Sequence, residues 1–164
     1  MRRITPAPLT ADAFAPFGEV IGAEAAREVR AINDGHTQRF HALATLDLAA
    51  QGGRPIVSIF RSTPLPAPLV VRALERHPLS SQTFVPLSSR PYLVVVAPPG
   101  DFDVSAIRVF RAEGQGVNFR AGTWHHFNLA LEAVSDFLVI DREADDENCD
   151  VATLAEADRI ELAP

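Results

Sequence analysis

Residues 116–131 read GVNFRAGTWHHFNLAL, an apolar, strand-like run carrying two adjacent histidines, His125 and His126. Side chains alternate between the two faces of a strand, so the two rings are expected to point opposite ways, with His126 facing away from whatever His125 meets. Either both are packed rings, or one of them holds a metal beside a substrate.

The chain around this stretch has the same character. RPIVSIFR (54–61), PLVVRALERH (68–77), QTFVPL (82–87), PYLVVVA (91–97), IRVFR (107–111), GTWHHFNLAL (122–131) and SDFLVIDR (135–142) are short and rich in β-branched or aromatic residues. Pro, Gly, Ser or Asp clusters bound most of them, as strand ends require. Runs of this kind at roughly ten-residue spacing predict an antiparallel sandwich or barrel. STPLPAP (62–68) reads as an extended connector, because three prolines cannot sit inside a central strand. Near the N-terminus Thr10 is placed to cap a short helix with Phe14 and Phe17 on one face and Gly18 as its stop. The tail DVATLAEADRIEL, opening on Asp150, predicts a closing helix. No repeat, low-complexity tract or shift of composition divides the chain, so residues 1–164 are expected to form a single domain.

At 164 residues the chain is long enough to bury one sizeable core. Hydrophobic residues make up 47% and charged residues 22%, a globular balance. A net charge of −6 argues against a phosphate-binding surface, hence no nucleic-acid partner. All 15 basic residues are arginine, which excludes Schiff-base and lysine-base chemistry, although genome composition explains that bias equally well. The one cysteine, Cys149, permits no intramolecular disulfide. MRRITPAPLTADAF lacks the apolar core of a signal peptide, and YLVVVAPP is too short to span a bilayer. The expectation is a soluble, cytoplasmic protein with no membrane partner.

LERHPLSSQTF (74–84) carries the other chemistry. On a strand Glu75 and His77 share a face and Arg76 takes the opposite one. Gln82 follows across a stretch able to turn, so an acid, an imidazole and an amide can converge on one cavity. Taken alone, a Glu-x-His pair also occurs by chance on a solvated strand.

Residues 120–125, RAGTWH, resemble the second motif of the cupin superfamily, P-x-G-x-x-H with a downstream asparagine. Arg120 replaces the proline, and Asn128 lies one residue nearer than usual. ERHPLSSQ (75–82) has the spacing of the first cupin motif, with Glu75 in place of its first histidine and Gln82 in place of its glutamate. The resemblance implies a metal site of Glu75, His77, Gln82 and His125. It also implies a mainly β fold, a cupin-like (jelly-roll) antiparallel β-barrel with short N- and C-terminal helices.

From about residue 8 to 152 the chain resembles the bacterial ureidoglycolate lyases. The likeness rests on AFAPFGEVI, INDG followed by RFHALA, LERHPLSSQTFVPL, GVNFRAGTWHHFNLAL, and SDFLVIDR with ENCDV behind it. Phe40-His41 stands where the family has a Tyr-His pair. The resemblance implies a homodimer that cleaves (S)-ureidoglycolate to glyoxylate and urea in purine and allantoin breakdown, with nickel as the family's usual metal. The donor set suits a borderline divalent metal (Ni, Zn, Mn or Fe) better than Mg.

Cleavage needs a base for the substrate hydroxyl, and Glu75 serves if it is not a ligand. His36, His41 and His126 are the other groups that titrate near neutral pH, of which His41 is the main candidate. A guanidinium is wanted for the carboxylate or the urea oxygen, with Arg61 and Arg39 as candidates. Plainer readings stand beside these: His41 packing a loop, His126 held by a carbonyl, Trp124 filling core, and Asp141–Arg142 pairing at a strand end. INDG (32–35) has the composition of a tight turn, or of a loop reaching a partner subunit's site. Rival functions are an amidohydrolase releasing ammonia and carbon dioxide, a non-catalytic cupin binding a small anion, and a metal-dependent dioxygenase or isomerase, since such barrels host many activities.

Overall fold

The computed structural model of the chain describes residues 1–163. In chain order it begins β1 (Arg2–Ile4), β2 (Ala7–Pro8), α1 (Ala11–Phe14), β3 (Gly18–Ile21), β4 (Val29–Ile32) and β5 (Thr37–Phe40). It continues β6 (Arg54–Ser62), β7 (Leu69–Val71), β8 (Ala73–Arg76), β9 (Gln82–Pro86), β10 (Pro91–Ala97) and β11 (Arg108–Glu113). The last elements are β12 (Gly116–Phe119), β13 (Trp124–His125), β14 (Leu129–Ala130), β15 (Ser135–Glu143), β16 (Asp150–Thr153) and β17 (Ile160–Leu162).

Three sheets stack around β10. A seven-stranded sheet runs β16-β8-β13-β10-β11-β2 with β14 also on β10, a five-stranded sheet runs β3-β12-β9-β15-β6, and a three-stranded sheet runs β1-β17-β7. Tyr92, Val94 and Val96 of β10 share a core with Val117, Phe119, Phe84, Phe137 and Val139 of the five-stranded sheet. Leu93, Val95 and Ala97, on the other face of β10, join Leu69, Val71, Ile160 and Leu162 of the three-stranded sheet. A strand covered on both faces must be apolar throughout, and all seven residues of β10 are buried. Most pairings are antiparallel, and the two larger sheets facing one another are compatible with a cupin-like jelly roll. No strand of one is hydrogen-bonded to the other among the described residues.

The N-terminal helix forms as expected. Thr10 Oγ1 accepts from Ala13 N at 3.3 Å, and Phe14 packs on Phe17, Phe110 and Phe119 with ring centroids 5.7–6.2 Å apart. Each such buried ring contributes roughly 1.5–3 kcal/mol. Gly18 follows at φ 152°, and a Cβ there would lie 1.8 Å from the Asn118 carbonyl oxygen, so only glycine lets β3 approach β12. INDG is a tight turn, with Asn33 and Asp34 at positive φ, closing the exposed β4–β5 hairpin.

The tail departs from expectation. In place of a closing helix it forms two strands, β16 against β8 and β17 between β1 and β7, joined by a single 3-10 turn at Glu156–Asp158. Asp150 does not cap a helix: its carboxylate receives Arg76 Nε at 2.8 Å. Burial of Leu154, Ile160 and Leu162, together with the ladder bonds, outweighs a helix preference of a few tenths of a kcal/mol per residue. No helix among the described residues is long and apolar enough to cross a membrane.

Candidate metal centre

The centre is assembled by two strand pairings and one turn. β8 and β13 run antiparallel with Glu75 directly opposite His125, so the two side chains share a face. His125 is also opposite Val96, a residue of the core between the larger sheets, which places that face inward. Leu74 and Trp124 point the other way into the second core. The turn before β13 depends on Gly122 at φ 79°, and its N–H donates to the His77 carbonyl at 2.9 Å. The two histidine-bearing segments are thereby tied backbone to backbone.

One ligand atom from each of Glu75, His77 and His125 lies within 4.8 Å of the others. Three donors around one ion with bonds of about 2.1 Å stand about 3 to 3.6 Å apart, so modest side-chain movement closes the set. His77 Nδ1 is 2.7 Å from the Asn148 carbonyl oxygen. A carbonyl only accepts, so Nδ1 carries the proton and Nε2 presents its lone pair, the tautomer a metal ligand needs. His77 Nε2, His125 Nε2 and Gln82 Oε1 are all buried without a hydrogen-bond partner. Buried polar atoms are normally satisfied, and three potential ligand atoms left bare together fit a bound cation.

His125 is 1% exposed and stacks on Phe119 with centroids 4.4 Å apart and planes 8° from parallel. Burial, and then the neighbouring His77, push its pKa down to about 3, so at neutral pH it is an uncharged imidazole. Gln82 lies opposite Phe119 in the register of β9 and β12, which sets its amide on the same inner face, and it shares a cavity of about 220 Å³ with His77 and Asp141. Glu75, His77 and His125 thus lie in one cluster, and Gln82 borders His77 in the adjoining cavity.

Alternation fails just beyond His125. Val96 faces His125, yet Leu93 faces Leu129, so three steps on β10 answer four on the other strand, a bulge spanning His126–Asn128. His126 therefore does not face away. It lines a cavity of about 380 Å³ together with Glu75 and His125. Burial lowers its pKa, and Glu75 works weakly in the opposite direction. Trp124 is core, packed edge-on against Phe102, with the Arg76 guanidinium 4.5 Å above its ring.

The remaining candidates are elsewhere. Arg61 makes two bonds to Asp136, at 2.8 and 2.9 Å, on the exposed face of the five-stranded sheet. Arg39 is exposed on β5 across from Arg30. His41 sits at the foot of that hairpin, where its N–H donates to the Glu28 carbonyl. Arg142 pairs with Asp146 and the Ala50 carbonyl, not with Asp141. The arginine that does line the cavity with Glu75, His125 and His126 is Arg72, which also borders a neighbouring cavity with Glu156 and Arg159 and has no ion pair among the described residues. Its signal in the sequence was slight, a charge interrupting an otherwise apolar strand pattern between β7 and β8. A separate polar hollow of about 350 Å³, lined by Glu19, Arg27, Thr45 and Arg120 among others, shares no residue with the centre.

Comparison with known proteins identifies the chain's relatives. The family model described as ureidoglycolate lyase matches residues 1–161. A protein of Burkholderia mallei (strain NCTC 10229) named ureidoglycolate lyase is 52% identical over 158 residues, covering 96% of this chain and 92% of its own length. A ureidoglycolate lyase of Pseudomonas putida (strain W619) is 49% identical over 166 residues, covering 100% and 99%. On these whole-length matches, this chain belongs to the ureidoglycolate lyase family.

Proposed function

We propose that this chain is a ureidoglycolate lyase, cleaving (S)-ureidoglycolate to glyoxylate and urea in the breakdown of allantoin, as a cytoplasmic homodimer formed from single-domain chains. The observation that carries the reading is the convergence of Glu75, His77 and His125, with Gln82 beside them, in a chain matched end to end by that family.

Urea release needs the substrate hydroxyl to lose its proton, the C–O electrons to form the aldehyde, and the C–N pair to leave on nitrogen with a proton. His77 and His125 supply neutral nitrogens and Glu75 and Gln82 supply oxygens, a donor set suited to nickel or another borderline divalent ion. Such an ion supplies Lewis acidity toward the substrate's hydroxyl and carboxylate oxygens. Glu75 is the base for the hydroxyl proton when it is not itself bound, and the neutral His126 ring on the same cavity is placed to take up that proton and pass it to the departing nitrogen. Arg72 takes over the carboxylate role expected of Arg61 or Arg39, because it lines that cavity, makes no ion pair among the described residues, and carries a planar fork suited to a carboxylate. Arg39 and His41 have a role only if the exposed hairpin reaches the site of a second copy.

The test is direct measurement of products from (S)-ureidoglycolate. Equal urea and glyoxylate that fall with chelator and return with nickel or manganese support the reading. Ammonia and carbon dioxide in place of urea would move it to an amidohydrolase. Glyoxylate binding without turnover would make the chain a small-anion sensor.

A further inference from the structure

We infer that Asp141 is a positioning residue of the metal centre, holding the Gln82 amide so that its oxygen faces the cavity. The inference rests on the metal-site reading above. Asp141 continues the inward row of β15 set by Phe137 and Val139, and Ile140 faces Thr83 on β9, which brings Asp141 beside Gln82. Gln82 Nε2 donates to Asp141 Oδ2 at 3.3 Å. An ionised carboxylate only accepts, so it selects the NH₂ end of the amide and turns Oε1 away from itself. Gln82 is 7% exposed, its Oε1 has no partner, and it lines the same cavity as His77. Without Asp141 no other hydrogen bond among the described residues distinguishes the two ends of the amide in the metal-free chain. The flipped rotamer would aim an NH₂ group, which cannot bind a cation, at the ligand position. Partners of this kind orient ligands in many metal sites, and their loss costs roughly 10–100-fold in metal affinity.

Metal-free protein titrated with Co²⁺, followed by calorimetry and visible absorption, tests this. Asp141→Leu is expected to bind Co²⁺ about 10–100-fold more weakly than wild type, with shifted d–d bands. Asp141→Asn, whose amide oxygen still accepts from Gln82 Nε2, is expected to retain the wild-type spectrum. Adding Gln82→Ala to Asp141→Leu is expected to weaken binding no further, because the ligand is already lost. Should Asp141→Leu fail to fold, by circular dichroism of the metal-free protein, Gln82→Ala alone must reproduce the affinity loss and the band shift. Unchanged affinity and spectrum in Asp141→Leu or in Gln82→Ala overturn the proposal, as do equal losses in Asp141→Leu and Asp141→Asn. If wild type binds no Co²⁺ at all, the metal-site reading falls and takes this proposal with it. Wild-type binding with indifferent variants removes the positioning role alone.

Discussion

Glu75 and His125 stand directly opposite one another across β8 and β13, fifty residues apart in the chain and on one inward face. The pair makes the site a product of sheet register. A slip of one residue in either strand would send one of the two side chains into the second core, among Leu74 and Trp124.

His125→Ala and His126→Ala separate the two adjacent rings. His125→Ala removes a buried, stacked ring, and is expected to cost about 3 kcal/mol in stability and to abolish metal retention and turnover. His126→Ala keeps its metal and most of its stability, with turnover reduced. Metal content by emission spectroscopy, thermal melts and kinetics on both decide it. A His126→Ala protein without metal beside a metal-loaded His125→Ala protein would reverse the assignment.

Arg72 and Arg61 differ in their surroundings. Arg72→Ala is expected to raise KM about tenfold or more with metal content unchanged, the loss of a charge-assisted contact. Arg61→Ala breaks only an exposed pair with Asp136, worth about 0–1 kcal/mol, and leaves KM as it was. Steady-state kinetics showing the effect on Arg61 instead would remove Arg72 from the site.

Two glycines bear different constraints. Gly122→Ala meets nothing closer than Pro99 Cβ at 3.6 Å and is penalised only for its positive φ, by roughly 1–2 kcal/mol. Gly18→Ala drives a Cβ into the Asn118 carbonyl and is expected to cost more, separating β3 from β12. Denaturant midpoints of the two variants give the order, and equal losses would contradict the close approach.

Acid acts on His125. The unfolded chain binds a proton there below the ordinary value of 6.5, whereas burial in the folded state holds it neutral down to about 3. Its contribution is therefore complete above pH 6.5 and is lost progressively as pH falls toward 3, by at most about 1.4 kcal/mol per pH unit. Burial pushes His126 in the same direction. Metal-free wild type should lose stability between pH 6.5 and 4.5 more steeply than His125→Asn. Identical slopes would show that the ring is not held neutral.

Much of the architecture was legible in local patterns. PYLVVVA became β10 residue for residue, SDFLVIDR became β15 with one residue added, and Thr10 capped its helix. The close spacing of Glu75 and His77, one in β8 and one just past its end, was readable in the sequence, as was the Gly122 turn from its spacing to His125. These features depend on neighbours within a few positions, so local sequence is enough to specify them.

Tertiary structure decided the rest. The tail is β16 and β17 because partners about 75 to 160 residues away, in β8, β7 and β1, offer ladder bonds and a core. His126 joins the cavity because of a bulge visible only in the pairing with β10. Arg61 is bound by Asp136 on an outer face while Arg72, without an ion pair among the described residues, lines a cavity with Glu75, and one arginine is chemically the same as another until its neighbours are known. Local preferences amount to tenths of a kcal/mol per residue, whereas burial and buried polar pairing are worth whole kcal/mol and depend on residues the chain brings together only when it folds.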